Sequence, residues 1–469
     1  MKLGTRDLKP RDLRLVTWDL RLETWDLGLG TWDFPRPLWL GNVPVYNCGM
    51  TCNVGIAFVT GRKHFQNVLR SYVNNWLENG LIADKSVRLH LFVVYDVNYF
   101  NTQPEDYRNI PAELSAMVDS VNFYGRTALD DERRKLVDEG VISEPEGDLL
   151  FGEGYAKKRN AALYFAARMG MDRLLFIDDD EYPLAVLKNR ANNLIWMGQS
   201  VVGTHLKLSR DADITHGHHC GYISPIPRFE FDRRLTEQDF RDFIDATSND
   251  IITWENVKRT IIGNNGVTYA DASIINRQAT FEVREIQGMK FISGANLCFN
   301  LRRLKSLPAF YNPPGARGED AFMSTTLTEH KVVKAPCYTF HDAFLEYRHL
   351  LHGVLPLQLR GVDAHSPEVR QRFARAAIGW IRYKPLLTLL TQPDDFESIM
   401  ENIARKLDSV IPKLCRYFDT PQFEEVTKEF VRYRRNVMRH HRSFEATRAA
   451  WLKVTGRLLP AVLVCLCGS

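Results

Sequence analysis

Val54 to Val59 is an unbroken apolar run that stops at Thr60-Gly61-Arg62, the pattern of a short strand buried on both faces. Phe65, Val68, Leu69, Tyr72, Val73, Trp76 and Leu77 then recur at spacings of three and four, which predicts an amphipathic helix ending at Gly80. A second Val/Leu/Phe-rich run, Val87 to Tyr95, predicts a second buried strand that ends at Asp96. Strand, helix and strand in this order, with both strands apolar throughout, imply a parallel sheet covered by crossover helices.

Residues 98–152 are polar and irregular, and predict peripheral helices and loops. Regular patterning returns with a helix over Ala156 to Met169, which feeds the strand Arg173 to Ile177 and three consecutive aspartates. Val201 to Leu208, Met289 to Ile292 and Val332 to Phe340 are further strand candidates. From about Tyr347 onward strand signals cease, and Pro356, Pro367, Pro385, Pro412 and Pro421 punctuate helical segments. Near the N-terminus, Thr17-Trp18-Asp19, Thr24-Trp25-Asp26 and Thr31-Trp32-Asp33 recur with a period of seven. The unit Thr-Trp-Asp-Leu-Gly-Leu-Gly is what the DNA heptamer ACTTGGG encodes when read through its own repeat. The apolar a/d pairs of a true heptad are missing, so this segment reads as translated non-coding sequence.

Composition adds limits. With 45% hydrophobic and 25% charged residues, the 469-residue chain is an ordinary globular protein with room for more than one core. A net charge of +4 does not announce a nucleic-acid partner. Eight scattered cysteines, without CxxC spacing, and no apolar leader predict a reducing, cytoplasmic setting. No stretch approaches the roughly 20 apolar residues of a membrane span.

In open α/β sheets ligands bind beyond the carboxyl ends of the strands. Thr60 and Arg62, Asp96, Asp178-Asp179-Asp180, and His341-Asp342 all follow predicted strands. Three adjacent carboxylates repel one another and call for cations. Oxygen donors suit Mg2+ or Mn2+, and one imidazole, His341, tilts the choice toward manganese. In an extended segment Asp178 and Asp180 point one way and Asp179 the other.

Four ordered motifs carry a family resemblance. Phe176-Ile177-Asp178-Asp179-Asp180 looks like a DXD motif, and Lys158-Arg159-Asn160-Ala161-Ala162 resembles the (A/K)RN segment before it. Ser293-Gly294-Ala295-Asn296 and Gly318-Glu319-Asp320 are similar to "GAN" and "GED" segments. Together, over residues 54–342, they resemble the family-2-like branch of GT-A glycosyltransferases. The resemblance implies a Rossmann-like mixed sheet flanked by helices. With the patterning, the chain divides into a repetitive, disordered or artefactual extension over 1–46, a catalytic domain over 47–346 and an appended helical region over 347–469. It implies a nucleotide-sugar donor, a glycan or lipid-linked acceptor, and Mn2+ or Mg2+. Asp96 would meet the base, and Arg159 with Asn160 the ribose and diphosphate. Asp178 and Asp179 would lie between ribose and metal, and Asp178, Asp180 and His341 would form the metal set. Gly294 and Asn296, in the acceptor-side "GAN" segment, would join the nucleotide-sugar contacts; Thr60 and Arg62 are placed there too, at the pocket floor, where Thr60-Gly61-Arg62 departs from the family's usual Pro-Thr-Tyr-Asn ending. Asp320, beside Glu319, would be the general base of an inverting transfer. No QXXRW motif is present, which argues for single rather than processive transfer.

Two further clusters stand out. Thr215-His216-Gly217-His218-His219-Cys220 predicts a substrate loop in preference to a zinc site, since adjacent histidines diverge. The basic tail from Lys428 to Arg457 predicts a solvated helix face. Its other reading is peripheral membrane contact, with Phe430, Val437, Phe444, Trp451 and the apolar C-terminus inserted beside the charges. A nucleotidyltransferase and an inactive sugar-binding or scaffold protein are the alternative functions.

Overall fold

A computed structural model describes residues 51–98, 100–248, 253–259, 263–303, 307–344 and 355–458. The N-terminal repeat, the start of the helical region at 345–354 and the apolar end at 459–469 lie outside them. The described residues all belong to one compact unit, Pro44–Ser469.

Its strands are β1 (Cys52–Thr60), β2 (Val87–Tyr95), β3 (Ser120–Tyr124), β4 (Arg173–Ile177), β5 (Glu181–Tyr182), β6 (Leu184–Lys188), β7 (Leu194–Gly198), β8 (Ile214–Gly221), β9 (Phe281–Glu282), β10 (Leu297–Asn300) and β11 (Val332–His341). The main sheet runs β3-β2-β1-β4-β10-β8-β11-β5, with β9 on β11, while β6 and β7 form a separate hairpin. β3, β2, β1 and β4 are mutually parallel. β10 inserts antiparallel between β4 and β8, and β11 runs parallel to β8. The architecture is therefore a mixed α/β sheet flanked by helices.

β1 is apolar at successive positions because both of its faces are covered. Val54, Ile56 and Phe58 pack on the helix Phe65–Glu78, and Ala57 and Val59 on the helix Tyr155–Arg168. The first of these helices buries Phe65, Val68, Leu69, Tyr72, Val73 and Trp76, the stripe seen in the sequence. Phe65, Val68, Leu69 and Val73 each contribute about 1.5–3 kcal/mol on leaving water.

Several expectations are corrected. Val201–Leu208 is a helix, since Val201, Val202, His205 and Leu206 fall on one buried helical face. Residues 289–292 form no strand beyond one bridge, Ile286 to Met289, and the sheet position belongs to β10. Residues 214–221, expected as a loop, are the core strand β8, where polar side chains are bonded internally rather than solvated. β3 and the β6-β7 hairpin had no predicted counterpart.

The helices Pro367–Thr391, Phe396–Tyr417, Glu424–Arg435 and Val437–Gly456 make up the C-terminal region. They share cores with the preceding residues instead of hanging from them. Phe373, Ile381 and Leu407 pack with Phe240, Phe243 and Phe322. Trp451 lies in the sheet-side core and donates its Nε1 hydrogen to the Leu307 carbonyl at 2.8 Å. Phe430, Val437, Phe444 and Trp451 are all buried, and the apolar C-terminus that shared the expected membrane contact lies outside the described residues. The tail's basic residues pair with acids, Arg434 with Glu397, Lys453 with Glu146 and Arg457 with Glu139. Among the described residues no helix is long and apolar enough to cross a membrane.

Candidate active site

The chain runs outward from β1 to β2 and β3, then returns to the other side of β1 to form β4. The gap between the carboxyl ends of β1 and β4 is thus a topological switch point, where open α/β sheets hold their ligands. Thr60 closes β1, and Asp178-Asp179-Asp180 follow β4.

Asp178 to Asp180 form a turn and not an extension of β4, so the expected alternation of their side chains fails. Asp179 and Asp180 share one cation. The Arg62 Nη1 donates to Asp179 Oδ1 at 2.9 Å and to Asp180 Oδ2 at 2.6 Å. Thr60 Oγ1 donates to the other Asp179 oxygen at 2.5 Å. Asp180 Oδ1 lies 3.3 Å from His341 Nε2 at the end of β11. Burial works against ionising Asp180, but His341 and Arg62 outweigh it and hold its carboxyl below the usual range. Burial wins at Asp179, whose carboxyl is raised despite Arg62. His341 is raised to about 9: burial alone would lower it, and the Asp180 charge reverses the sign. Behind them Glu181, itself buried, pairs with His219 Nδ1 at 3.1 Å and accepts from Thr339 Oγ1 at 2.8 Å.

Asp178 turns toward the helix Tyr155–Arg168, where Arg159 Nη2 donates to its Oδ1 at 3.0 Å. The same guanidinium donates to the Gly294 carbonyl and lies 3.4 Å from Glu319 Oε1 through its Nε. Rings of Phe176 and Phe310 flank it, with centroids 5.4 and 5.7 Å away. Gly294 is held close: a Cβ there would stand 3.3 Å from Arg159 Nη2 and 3.7 Å from Asp320 Oδ2. Asp320 lies in the first turn of the short helix Glu319–Ser324, which starts from Gly318 at a φ of 88°. Burial, then the neighbouring Glu319, pushes the Asp320 carboxyl up to about 6.

The structure therefore brings together Thr60, Arg62, Arg159, Asp178, Asp179, Asp180, Gly294, Glu319, Asp320 and His341, drawn from six separate stretches of chain. Asp96 lies one strand away, ion-paired with Lys158, the first residue of the segment Lys158-Arg159-Asn160, to which no site role was given. Two expected site residues point elsewhere. Asn160 is fully buried and clamps residue 310, accepting from Phe310 N at 2.8 Å and donating to its carbonyl at 2.9 Å. Asn296 is equally internal, accepting from His205 Nε2 at 2.8 Å and donating to the His218 carbonyl at 3.1 Å. It also explains Gly217, where a Cβ would fall 2.1 Å from Asn296 Nδ2.

A divalent ion fits the donor chemistry in a limited way. Asp180 Oδ1 and His341 Nε2 have the separation, about 3 Å, of neighbouring donors on one ion with bonds near 2.1 Å. Among the described residues no group of three or more His, Cys, Asp or Glu side chains gathers as a protein-only cage. Magnesium-type sites seldom need one, since water and substrate phosphates complete the shell. The sequence matches no protein-family model and no curated protein.

Proposed function

We propose that this chain is a metal-dependent glycosyltransferase of the GT-A type, moving a sugar from a nucleotide-diphosphate donor to a hydroxyl on a glycan or lipid-linked acceptor. The observation that carries the reading is the convergence of carboxylates 178–180, Arg62 and Arg159 at the β1/β4 switch point, with Asp320 facing them across Gly294. The mixed sheet is consistent with that fold. Polar ligands with phosphate groups are what such an array of paired charges at strand ends can hold.

Asp320 is the base. A carboxyl raised to about 6 is ionised at neutral pH yet basic enough to take a proton from an acceptor hydroxyl. The acceptor oxygen forms a bond to the anomeric carbon as the bond from that carbon to the phosphate oxygen breaks. The nucleoside diphosphate leaves with the electron pair, and inversion follows. Arg159 positions Asp178, Glu319 and the Gly294 carbonyl, while Arg62 orients Asp179 and Asp180. Asp180 and His341, with water and the donor's phosphates, would hold Mn2+ or Mg2+, which would neutralise charge on the leaving diphosphate; Asp178, expected as a third ligand, turns to Arg159 instead.

The test is a panel of nucleotide sugars, scored for Mn2+-dependent hydrolysis and for thermal stabilisation. At least one donor should be turned over by the wild type and not by Asp180→Asn. Turnover unchanged in Asp180→Asn, or no donor stabilising the wild type, refutes the proposal.

A further inference from the structure

Once the carboxylates at the strand ends are matched to their cations, three arginines beside them are left over. Asp179 and Asp180 take Arg62 and His341, Asp178 and Glu319 take Arg159, and Asp96 takes Lys158. Among the described residues, no carboxylate lies within ion-pair distance of Arg317, Arg372 or Arg375. Arg372 and Arg375 lie on the long helix Pro367–Thr391, and Arg317, in the loop before Asp320, packs against it.

Residues 372, 375, 379 and 383 follow one another at helical spacing and so share a face. That face meets the strand end and the loop before Asp320. Arg372 donates through Nη1 to the carbonyl of Ala343, two residues beyond His341, and its guanidinium sits 4.2 Å from the Phe344 ring centroid. At residue 379 the lack of a side chain admits Arg317, whose Cδ lies 3.1 Å from where a Cβ would be. Tyr383 packs on Gly318, 2.9 Å from its missing Cβ. Arg317 and Arg375 are exposed, and Arg372 is half-buried. Burial and the charges of Arg62, Arg317 and Arg375 hold the Arg372 guanidinium down to about 10, with Asp180 pulling the other way. Cations crowded together without a counter-charge are stabilised by an anion, and the planar guanidinium matches phosphate oxygens in pairs.

We propose that Arg317, Arg372 and Arg375 form a phosphate-binding site, so that the C-terminal helical region supplies part of the substrate pocket. Which phosphate it holds, the donor's diphosphate or one carried by the acceptor, rests on the glycosyl-transfer reading; the anion site itself does not.

The test uses the full chain and inorganic pyrophosphate, titrated calorimetrically in EDTA at low and high salt. Arg317→Gln with Arg375→Gln is the main variant because both side chains are exposed and glutamine keeps the Arg317 Cγ and Cδ that pack at Gly379; its circular dichroism and melting must match the wild type. Arg372→Gln is compared only if its circular dichroism and melting match the wild type. Arg434→Gln, whose partner is Glu397, serves as a charge control. The expected result is a loss of affinity of roughly tenfold or more in the double variant, a shallower salt dependence, and no change in the control. Equal pyrophosphate affinity in wild type and double variant, or an equal loss in the control, overturns the proposal. Repeating the titration under saturating nucleoside diphosphate separates the sources: binding that persists marks an acceptor phosphate, and binding that vanishes marks the donor's. Arginine-dependent pyrophosphate binding in a protein that turns over no nucleotide sugar keeps the anion site and removes the glycosyl-transfer reading. Donor turnover with arginine-independent binding does the reverse.

Discussion

Arg159→Gln is the most revealing single substitution, because one guanidinium ties together three segments that the sequence keeps far apart. It is 3% exposed and reaches Asp178, the Gly294 carbonyl and Glu319. Removing one member of a buried ion pair costs about 3–5 kcal/mol, since the remaining charge stays desolvated. Here the remaining acids are partly wet, with the Asp178 side chain 34% and the Glu319 side chain 16% exposed, which reduces the loss to about 2–3 kcal/mol. Glutamine keeps a donor but cannot span all three partners. Arg159→Lys keeps the charge without the planar fork, and should recover about half of the loss. Urea unfolding followed by intrinsic fluorescence measures the midpoints, and hydrogen exchange at 293–296 and 318–322 reports the local effect. The glutamine variant should unfold at lower urea and exchange faster at both stretches. A wild-type midpoint with unchanged exchange at 318–322 would mean that Arg159 does not couple Asp178 to the Asp320 helix, and the site geometry argued above would be wrong.

Other consequences are open to measurement. If Asp320 is the base, kcat/KM for a donor that is turned over should rise through about pH 6 and then level off, and Asp320→Asn should lose at least a hundredfold without this rise; a profile flat from pH 5 to 8 rejects the assignment. Chelation should abolish turnover, and added Mn2+ should restore it in the wild type but not in His341→Ala. Gly318→Ala places a side chain at φ 88° and against Tyr383, which predicts a destabilisation of about 1–3 kcal/mol, read as a lower urea midpoint. His205 and His216 are buried and held neutral, His205 down to about 4, mainly by burial. Their folded pKa values lie below the unfolded value near 6.5, so the unfolded chain binds more protons as acid is added. Stability should therefore fall as pH drops below about 6.5, and His205→Gln should flatten that decline in urea midpoints taken between pH 7.5 and 5.

What the sequence makes legible follows from how local the signal is. β1, the helix after it, β2, β4 and β11 could be read because each is an apolar run or stripe long enough to show its period. The Val201–Leu208 segment misled because eight residues rich in Val and Leu satisfy either period, and what decides them is the sheet position taken by β10 and β8. β8 was hidden by its composition. A strand carrying Thr215, His216, His218 and His219 looks like a loop until partners such as His205, Ser293 and Thr339 are in place to bond them. None of those partners is adjacent in the chain.

The same contrast holds at the site. Aspartates 178–180 and Asp320 announce themselves by charge at strand or helix ends, whereas the two asparagines were misplaced because an amide in a motif carries no mark of whether it faces a ligand or the core. Asn160 and Asn296 each meet a backbone segment that would otherwise lack hydrogen bonds, at residue 310 and residue 218, and burying those groups unpaired costs about 1–3 kcal/mol apiece. Their role is to fix the loops on which Arg159 and Gly294 stand. Arg317 and the arginines of the Pro367–Thr391 helix were missed for a different reason: their significance lies in the surplus of positive charge left after distant pairs are made, and that surplus exists only once the pairs are known. The helix Pro367–Thr391, expected as part of an appendage, packs Gly379 and Tyr383 against the loop before Asp320, so the expected boundary near residue 346 does not separate it from the candidate site.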